Sequence, residues 1–585
     1  IFQNNRKDVE FLSYKFALNK SRFFNTTFIE IGNTFANTEG VTIWDTDGIV
    51  FQNCLFKGKD REGIYTYDAG VSILNDNKFE NNMTGVVTTA TYPMSSKVQI
   101  GSGSTTENKF TSNGYAHIFA SQTAGLIGDY SLDIINNNFT GGIYGIIVDG
   151  TSNFRIAGNL LTTVGWGGTG VHNTGVNSLF NQNLIGCNTY KNCSTNGINA
   201  WGNNKEMQFL GNDFQMNNGH DFILGQSSSS TDKGTIRSIQ GESNNSAGNC
   251  FTDPGPQNDI FAPQNVTNTF KYYFQGGEPP LNCDPEPLTP GNYTKQAVLQ
   301  SLPPIDCNQY GGLPQGLQYP TAGDLNIRRT TLHQLAPSIA TNEYALNQYY
   351  KTLQEKDAIL RHLLKQALEA GQYSTAEDLL LGEQSKAAEW AVFGLRMEQK
   401  DYTNAAVWLN QLPIQNNDDA TFRDIQLINL QRLQNLGSFQ LSATQDSFLT
   451  LVAESSSPIR GYAQSILALL KDRRFYPDNI ASGEGYIIPE QPSLMEKSIQ
   501  TGTTIRVFPV PANTLLTVIW PSLPVESDAR ILVYDILGQQ QIDEPIASNE
   551  THQMLETGEL PIGVYFLIIS DRGKPLYQTN FSIQR

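Results

Sequence analysis

Between residues 29 and 222 one phrase recurs: apolar residues one apart, a Gly or polar pair, Asn-x-Phe, a short polar turn, then Gly and an apolar residue. It reads Asn33-Thr34-Phe35 with Gly40-Val41, Asn53-Cys54-Leu55-Phe56 with Gly63-Ile64, and Asn77-Lys78-Phe79 with Gly85-Val86. Asn108-Lys109-Phe110 with Gly114-Tyr115, Asn137-Asn138-Phe139 with Gly142-Ile143, and Asn212-Asp213-Phe214 with Gly219 repeat it. Weaker copies are Asn159-Leu160-Leu161 and Asn183-Leu184-Ile185. From Phe35 the anchors step by 21, 23, 31, 29, 22, 24 and 29 residues, a spacing that suits one coil of a parallel β-solenoid with loops of variable length. A coil cannot bury its apolar face alone; stacking buries a continuous column. The spacing therefore predicts one buried column of Phe35, Phe56, Phe79, Phe110, Phe139 and Phe214, with Leu161 and Ile185 in it. Each well-buried Phe contributes about 2–3 kcal/mol. Asn tolerates the left-handed backbone at a sharp corner. Stacked Asn side chains can also hydrogen-bond from coil to coil.

This region, residues 1–251, resembles right-handed parallel β-helices of the pectate-lyase type. The spacing and consensus of a leucine-rich repeat are absent, and a propeller blade needs about 40 residues and antiparallel hairpins. Residues 252–328 are rich in Pro and Gly, with Pro254-Gly255-Pro256, Pro279-Pro280 and Pro303-Pro304, and read as a cap and linker. From 329 to 476 the period becomes helical. Tyr373 and Tyr402 lie 29 residues apart, as do Ala376 and Ala405, inside two similar segments. These segments are similar to tetratricopeptide-type α-helical hairpins. Trp390, Phe393, Trp408 and Leu409 are more apolar surface than one hairpin buries, which predicts contact with a neighbouring domain or another subunit. Residues 477–503 are a polar linker.

Residues 504–585 change character again. Short alternating strands punctuated by Pro and Gly predict a small antiparallel, Ig-like β-sandwich. Three blocks stand out: Phe508-Pro509-Val510-Pro511-Ala512-Asn513, Tyr534-Asp535-Ile536-Leu537-Gly538, and Gly563-Val564-Tyr565-Phe566-Leu567. In that order they resemble the C-terminal sorting domain of type IX secretion cargo, with Val510 standing where the family usually has Asn. The resemblance implies a sorting motif of Pro509, Pro511, Asn513, Tyr534, Asp535, Gly538, Gly563 and Tyr565. It also implies the type IX translocon as partner, and a secreted or cell-surface location outside the outer membrane.

Composition agrees with export. Net charge is −17, which disfavours nucleic acid and anionic membranes as partners. Charged residues are only 16%, against about 25% in a typical domain. No run approaches the roughly 18 apolar residues of a membrane span. The sequence opens on Ile1, in mid-pattern and without a signal peptide, which suggests the C-terminal part of a longer precursor. Six cysteines suit an oxidising compartment. Cys187 and Cys193 flank a polar stretch and form the candidate local disulfide; Cys283 and Cys307 are a second candidate pair. Spacing alone does not fix connectivity.

Because β-helices host many polysaccharide lyases and hydrolases, catalytic carboxylates were sought. Trp44-Asp45-Thr46-Asp47-Gly48 faintly resembles a polygalacturonase block. The Asp-Asp pair, Gly-His-Gly and Arg-x-Lys of that family do not follow: Asp68 and Asp76 are isolated, Gly219-His220-Asp221 lacks its second Gly, and Arg155-Ile156-Ala157 lacks its Lys. Asp45 and Asp47 read as turn-formers. Asp129, Asp133 and Asp149 are the candidates for a structural Ca²⁺, without an evident basic partner. His117, His172, His220, His333, His362 and His552 are scattered. Trp166 could stack on a sugar or pack locally. The sequence points to a non-enzymatic, structural or adhesive surface protein, as a homo-oligomer or filament and with a surface glycan as candidate ligand. A secreted β-helix lyase or hydrolase, and a carbohydrate-binding module, are the alternatives.

Overall fold

The computed structural model describes residues 1–13, 18–32, 36–103, 106–123, 130–165, 167–175, 179–180, 182–225, 234–252, 259–262, 270–276, 283–285, 293–298, 307, 310, 312–314, 316–475, 506–508, 512, 515–519, 529–535, 539–546, 552–571 and 574–583. The chain divides into two compact units, residues 1–483 and 484–585.

The first unit begins with a parallel β-helix. Successive strands pass in turn to three parallel sheets of ten, ten and eight strands, so each sheet takes every third strand. Sheet 1 runs from Phe2–Gln3 to Cys250–Phe251, sheet 2 from Lys7–Phe11 to Ile260–Phe261, and sheet 3 from Arg22–Phe24 to Met207–Leu210. Strands therefore continue beyond residue 251. A further parallel sheet joins Ile239–Gln240 to Phe270–Gln275 and Tyr293–Val298, the last two within the stretch read as cap and linker.

The interior column lies under sheet 1. Register aligns Phe2, Phe28, Phe56, Phe79, Phe110, Phe139, Leu161, Tyr190, Phe214 and Phe251. Rings from Phe28 to Phe139 stack 4.6–4.9 Å apart. Phe56, Phe79, Phe110, Phe139, Phe214 and Leu161 occupy the expected column. Phe35 lies outside the described residues, and Phe28 occupies the step below Phe56. Ile185 is not in the column: it belongs to sheet 3, between Ile156 and Phe209, and Tyr190 fills its expected place. Asn183-Leu184-Ile185 imitates the phrase, but the corner comes later, at Cys187 with φ 53°.

Corner and ladder prove to be two jobs on adjacent residues. The left-handed corner before sheet 1 is taken by Asn25, Asn53, Asp76, Gly101, Asn136, Gly158, Cys187 and Gly211. After Asp76, Asn136, Gly158, Cys187, Gly211 and Gly248 the next residue supplies the ladder, and Asn108, seven residues after Gly101, completes it: Asn77 donates to Asn108 (2.9 Å), Asn108 to Asn137 (2.9 Å), Asn137 to Asn159 (3.0 Å), Asn159 to Asn188 (2.9 Å), Asn188 to Asn212 (3.1 Å) and Asn212 to Asn249 (2.9 Å). Each of these amides is buried and also bonds backbone, so the ladder satisfies its own buried polar atoms. In the coil before Asn77, Cys54 takes the ladder position and its N–H donates to Asn77 Oδ1 at 3.0 Å.

Eight helices follow: α1 (Ala322–Leu335), α2 (Glu343–Glu369), α3 (Tyr373–Leu381), α4 (Lys386–Glu398), α5 (Tyr402–Gln411), α6 (Asn417–Gln434), α7 (Ala443–Ala453) and α8 (Arg460–Lys471). Thr321, Asn342, Ser385, Asp401, Asn416 and Ser442 cap their N-termini by accepting from backbone N–H groups. Tyr373 and Tyr402 open α3 and α5, and Ala376 and Ala405 are fully buried one turn later. The 29-residue offset thus marks equivalent sites on two helices. The even-numbered helices carry many more buried residues than the odd ones. They form an inner layer against the β-helix, and the odd ones an outer layer.

The inner layer runs back along the β-helix. It starts at the late coils, where Lys271 pairs with Glu343 (2.7 Å) and Gln182 donates to the Gln354 carbonyl (2.9 Å). At mid-length Gln426 and Asn429 donate to the Thr91 carbonyl, and Tyr92 donates to Glu398 at 2.7 Å. It ends at the early coils, where Arg474 pairs with Glu39 and Glu62, and Arg61 with Asp472. Gly394 is required there: a Cβ would lie 2.1 Å from the Pro93 carbonyl oxygen. Trp390, Phe393 and Leu409 are buried in one cluster with Tyr92, so the expected contact with a neighbouring domain is made within this unit.

The disulfides differ from both expected pairs. Cys187 bonds Cys307 and Cys250 bonds Cys283, while Cys54 and Cys193 are buried free thiols. Cys187 takes the corner before strand Thr189–Lys191, whereas Cys193 follows the corner residue Asn192 after it and belongs to the interior cluster. The two bonds tie the segment after the β-helix onto its last coils, and the longer loop spans 120 residues.

Among the described residues the second unit contains antiparallel sheets of three and four strands. The four-stranded sheet orders Gln540–Pro545, Ala529–Asp535, Gly563–Asp571 and Lys574–Ile583. Ile531, Val533, Leu567, Ile569 and Phe581 share a core with Leu516, Val518 and Leu555 of the three-stranded sheet.

Candidate functional site

The C-terminal unit gathers its motif blocks at one end of the four-stranded sheet. Asp535 lies opposite Tyr565, and Gly563 opposite Ile583. Ala512, of the opening block, bridges to Ile583 and donates its N–H to the Ser582 carbonyl at 2.7 Å. Asp535 accepts from Gln539 N–H (2.9 Å) and Gln541 Nε2 (2.9 Å). Tyr565 is buried, stacks on Phe581 at 5.5 Å and donates its hydroxyl to the Pro561 carbonyl at 2.7 Å. Tyr534 lies opposite Phe566. Pro509, Val510, Pro511, Asn513 and Gly538 lie outside the described residues.

In the β-helix the strongest candidate surface is the outer side of sheet 2, where the tempting carboxylates and aromatics fall. Its outward rows read Thr42, Tyr65, Val87, Phe119, Ile147, Gly170, Asn199, and Trp44, Tyr67, Thr89, Ser121, Asp149, His172, Trp201. Nearly all of these are buried, beneath the inner helices. Alternation should have exposed one side of such a strand; residues apolar on both sides mark a sheet covered on both sides. That signal is present in the sequence of these strands.

The carboxylates here are committed to partners. Asp45 and Asp68 take the left-handed corner after sheet 2, with φ 47° and 49°. Asp68 accepts from Thr91 N–H, Thr91 Oγ1 and Ser95 Oγ, each at 2.6 Å. Burial pushes its carboxyl up, with those hydrogen bonds opposing. The buried Arg432, whose pKa burial lowers, faces Asp45 and Asp68. Asp149 is bonded to His172 Nδ1 (2.8 Å) and Arg460 (2.9 Å). Burial raises its pKa, but the hydrogen bonds and charge interactions with His172 and Arg460 overcome that and bring it to about 2. Asp133 forms a two-point pair with Arg155, both bonds 2.8 Å. The sequence shows no evident basic partner for Asp133 or Asp149; stacking coils supplies Arg155 from the next rung, and α8 supplies Arg460 from 311 residues away. Asp129 and Trp166 lie outside the described residues. Among the described residues no three of His, Cys, Asp and Glu converge as a metal site would need. His117 is buried between Asn113 and the Gly141 carbonyl, and His220 stacks on Phe261.

Residues 506–584 match the family model described as the secretion system C-terminal sorting domain. No curated protein and no solved structure matches the chain. The C-terminal segment is a type IX sorting domain, and the protein is a secreted, cell-surface cargo of that system. Among the described residues no helix is long and apolar enough to cross a membrane.

Proposed function

We propose that the exported protein is a non-catalytic structural or adhesive element of the cell surface, with the β-helix as its rigid body. The observation that carries this reading is the covering of sheet 2: the chain's own helices occupy the side that holds its carboxylates and aromatic rings. A polysaccharide lyase or hydrolase needs a carboxylate or base in an open groove. The helical layer reads as tetratricopeptide-type hairpins, and the C-terminal unit as an Ig-like sandwich. The surface-facing partners we assign are a glycan or another copy of the chain, in an oligomer or filament.

Two measurements test this. Purified full-length chain incubated with acidic polysaccharides should release no new chain ends; release above the blank, lost on changing Asp45 or Asp47 to Asn, replaces the reading with the enzyme. Cells lacking the protein should lose attachment or an extracellular assembly that the full chain restores; unchanged attachment and surface structure argue against it.

A further inference from the structure

We propose that the outward side of the four-stranded sheet in the C-terminal unit is the surface by which the sorting domain docks on a protein of the export apparatus. The inference rests on the sorting-domain match and adds where the contact is made. Along Ala529–Asp535 and Gly563–Asp571, Ile531, Val533, Tyr565, Leu567 and Ile569 are buried in the core. Their neighbours on these strands point the other way. Register pairs those neighbours as Leu532 with Ile568, and Tyr534 with Phe566. Four apolar side chains thus form one block across two central strands, none of them in a described core cluster, and Phe566 is 46% exposed.

The motif residues divide between two jobs. Tyr565 faces inward, where its ring and hydroxyl are both used by the fold. Tyr534 and Phe566 come from two different motif blocks and meet on the outside, where folding alone asks for polar residues. The block is bounded by the Arg530–Asp543 ion pair at one end and by Asp535 with its partners Gln539 and Gln541 at the other. An apolar centre with a polar rim is the anatomy of a protein–protein contact. Met554, 64% exposed on the three-stranded sheet and paired with Thr517, lies outside this block and serves as its control. The occupant is an export component presenting an apolar, aromatic-accepting surface, because recognition by that apparatus is what a sorting domain is for.

The test uses the full-length chain in its producing cells. Phe566→Ser, Tyr534→Gln and the double variant are scored for exported against retained protein, and each purified chain is melted. Loss of a central anchor should cut export by about tenfold or more, with the melting transition unchanged. Phe566→Leu should restore export, and Met554→Ser should export normally. Export of the double variant at the wild-type level overturns the proposal. So does an equal defect in Met554→Ser, or a defect that tracks melting temperature across the series. Deletion of 506–585 in the same assay separates the two levels: a deleted chain still exported sinks the sorting reading, whereas a retained deletion beside a freely exported double variant sinks this surface alone.

Discussion

Sheets 1 and 2 have the same number of strands, the same parallel pairing and the same interior, yet opposite exteriors. One outward row of sheet 1 reads Lys57, Glu80, Thr111, Thr140, Thr162, Lys191, Gln215, all at least partly exposed. The matching rows of sheet 2 carry Tyr65, Val87, Phe119 and Ile147, all buried. Identical backbone pairing therefore does not decide what a β-helix face is for; its outward residues do. A polar row leaves the face to solvent and to outside partners, and an apolar row commits it to a cover supplied by the same chain.

The contrast can be broken by placing the same charge on both faces. Ile147→Asp buries an unpaired carboxylate under α8 and should cost about 4 kcal/mol or more, seen as loss of the folded chain or a large fall in denaturation midpoint. Phe110→Ala, in the interior common to both sheets, should cost about 3–5 kcal/mol. Next comes a pH effect. Burial lowers the His117 imidazole from 6.5 to about 4, with the Gly141 carbonyl opposing. The fold therefore holds the neutral ring. Its contribution is full above the unfolded value and is lost as pH falls from about 6.5 towards 4, by up to about 3 kcal/mol. Melting against pH should show that slope in the native chain and a weaker one in His117→Gln. Asn137→Ala opens a buried ladder and should cost about 1–3 kcal/mol. Thr140→Asp, the partner of the first variant on the open face, should stay within about 0.5 kcal/mol.

The β-helix was legible because its repeat writes the same requirement many times: Phe79, Phe110 and Phe139 each follow an Asn by two, and stacking needs that spacing. The reading slipped where the phrase was imitated, at Ile185, and where two tasks sit side by side, as at Asn136 and Asn137. The sorting blocks were legible for another reason: they are fixed local phrases rather than a pattern of burial. The covering of sheet 2 was hidden because it depends on contacts far apart in sequence, such as Arg460 with Asp149, 311 residues apart, and Arg474 with Glu39, 435 apart. The same distance in sequence hid the disulfide partners, since Cys187 and Cys307 meet only once the segment after the β-helix folds back on it.

The most direct test of the sealed face is thiol labelling of the folded full-length chain with one cysteine placed on each sheet. Cys54 and Cys193 are buried and the other four cysteines are bonded, so the background is low. Thr140→Cys, on sheet 1, should react at the rate of an exposed thiol. Ile147→Cys, on sheet 2, should react only as fast as the helical layer opens, orders of magnitude more slowly. Equal, rapid labelling at both positions would mean that sheet 2 is an open face and that the non-catalytic reading has lost its main support.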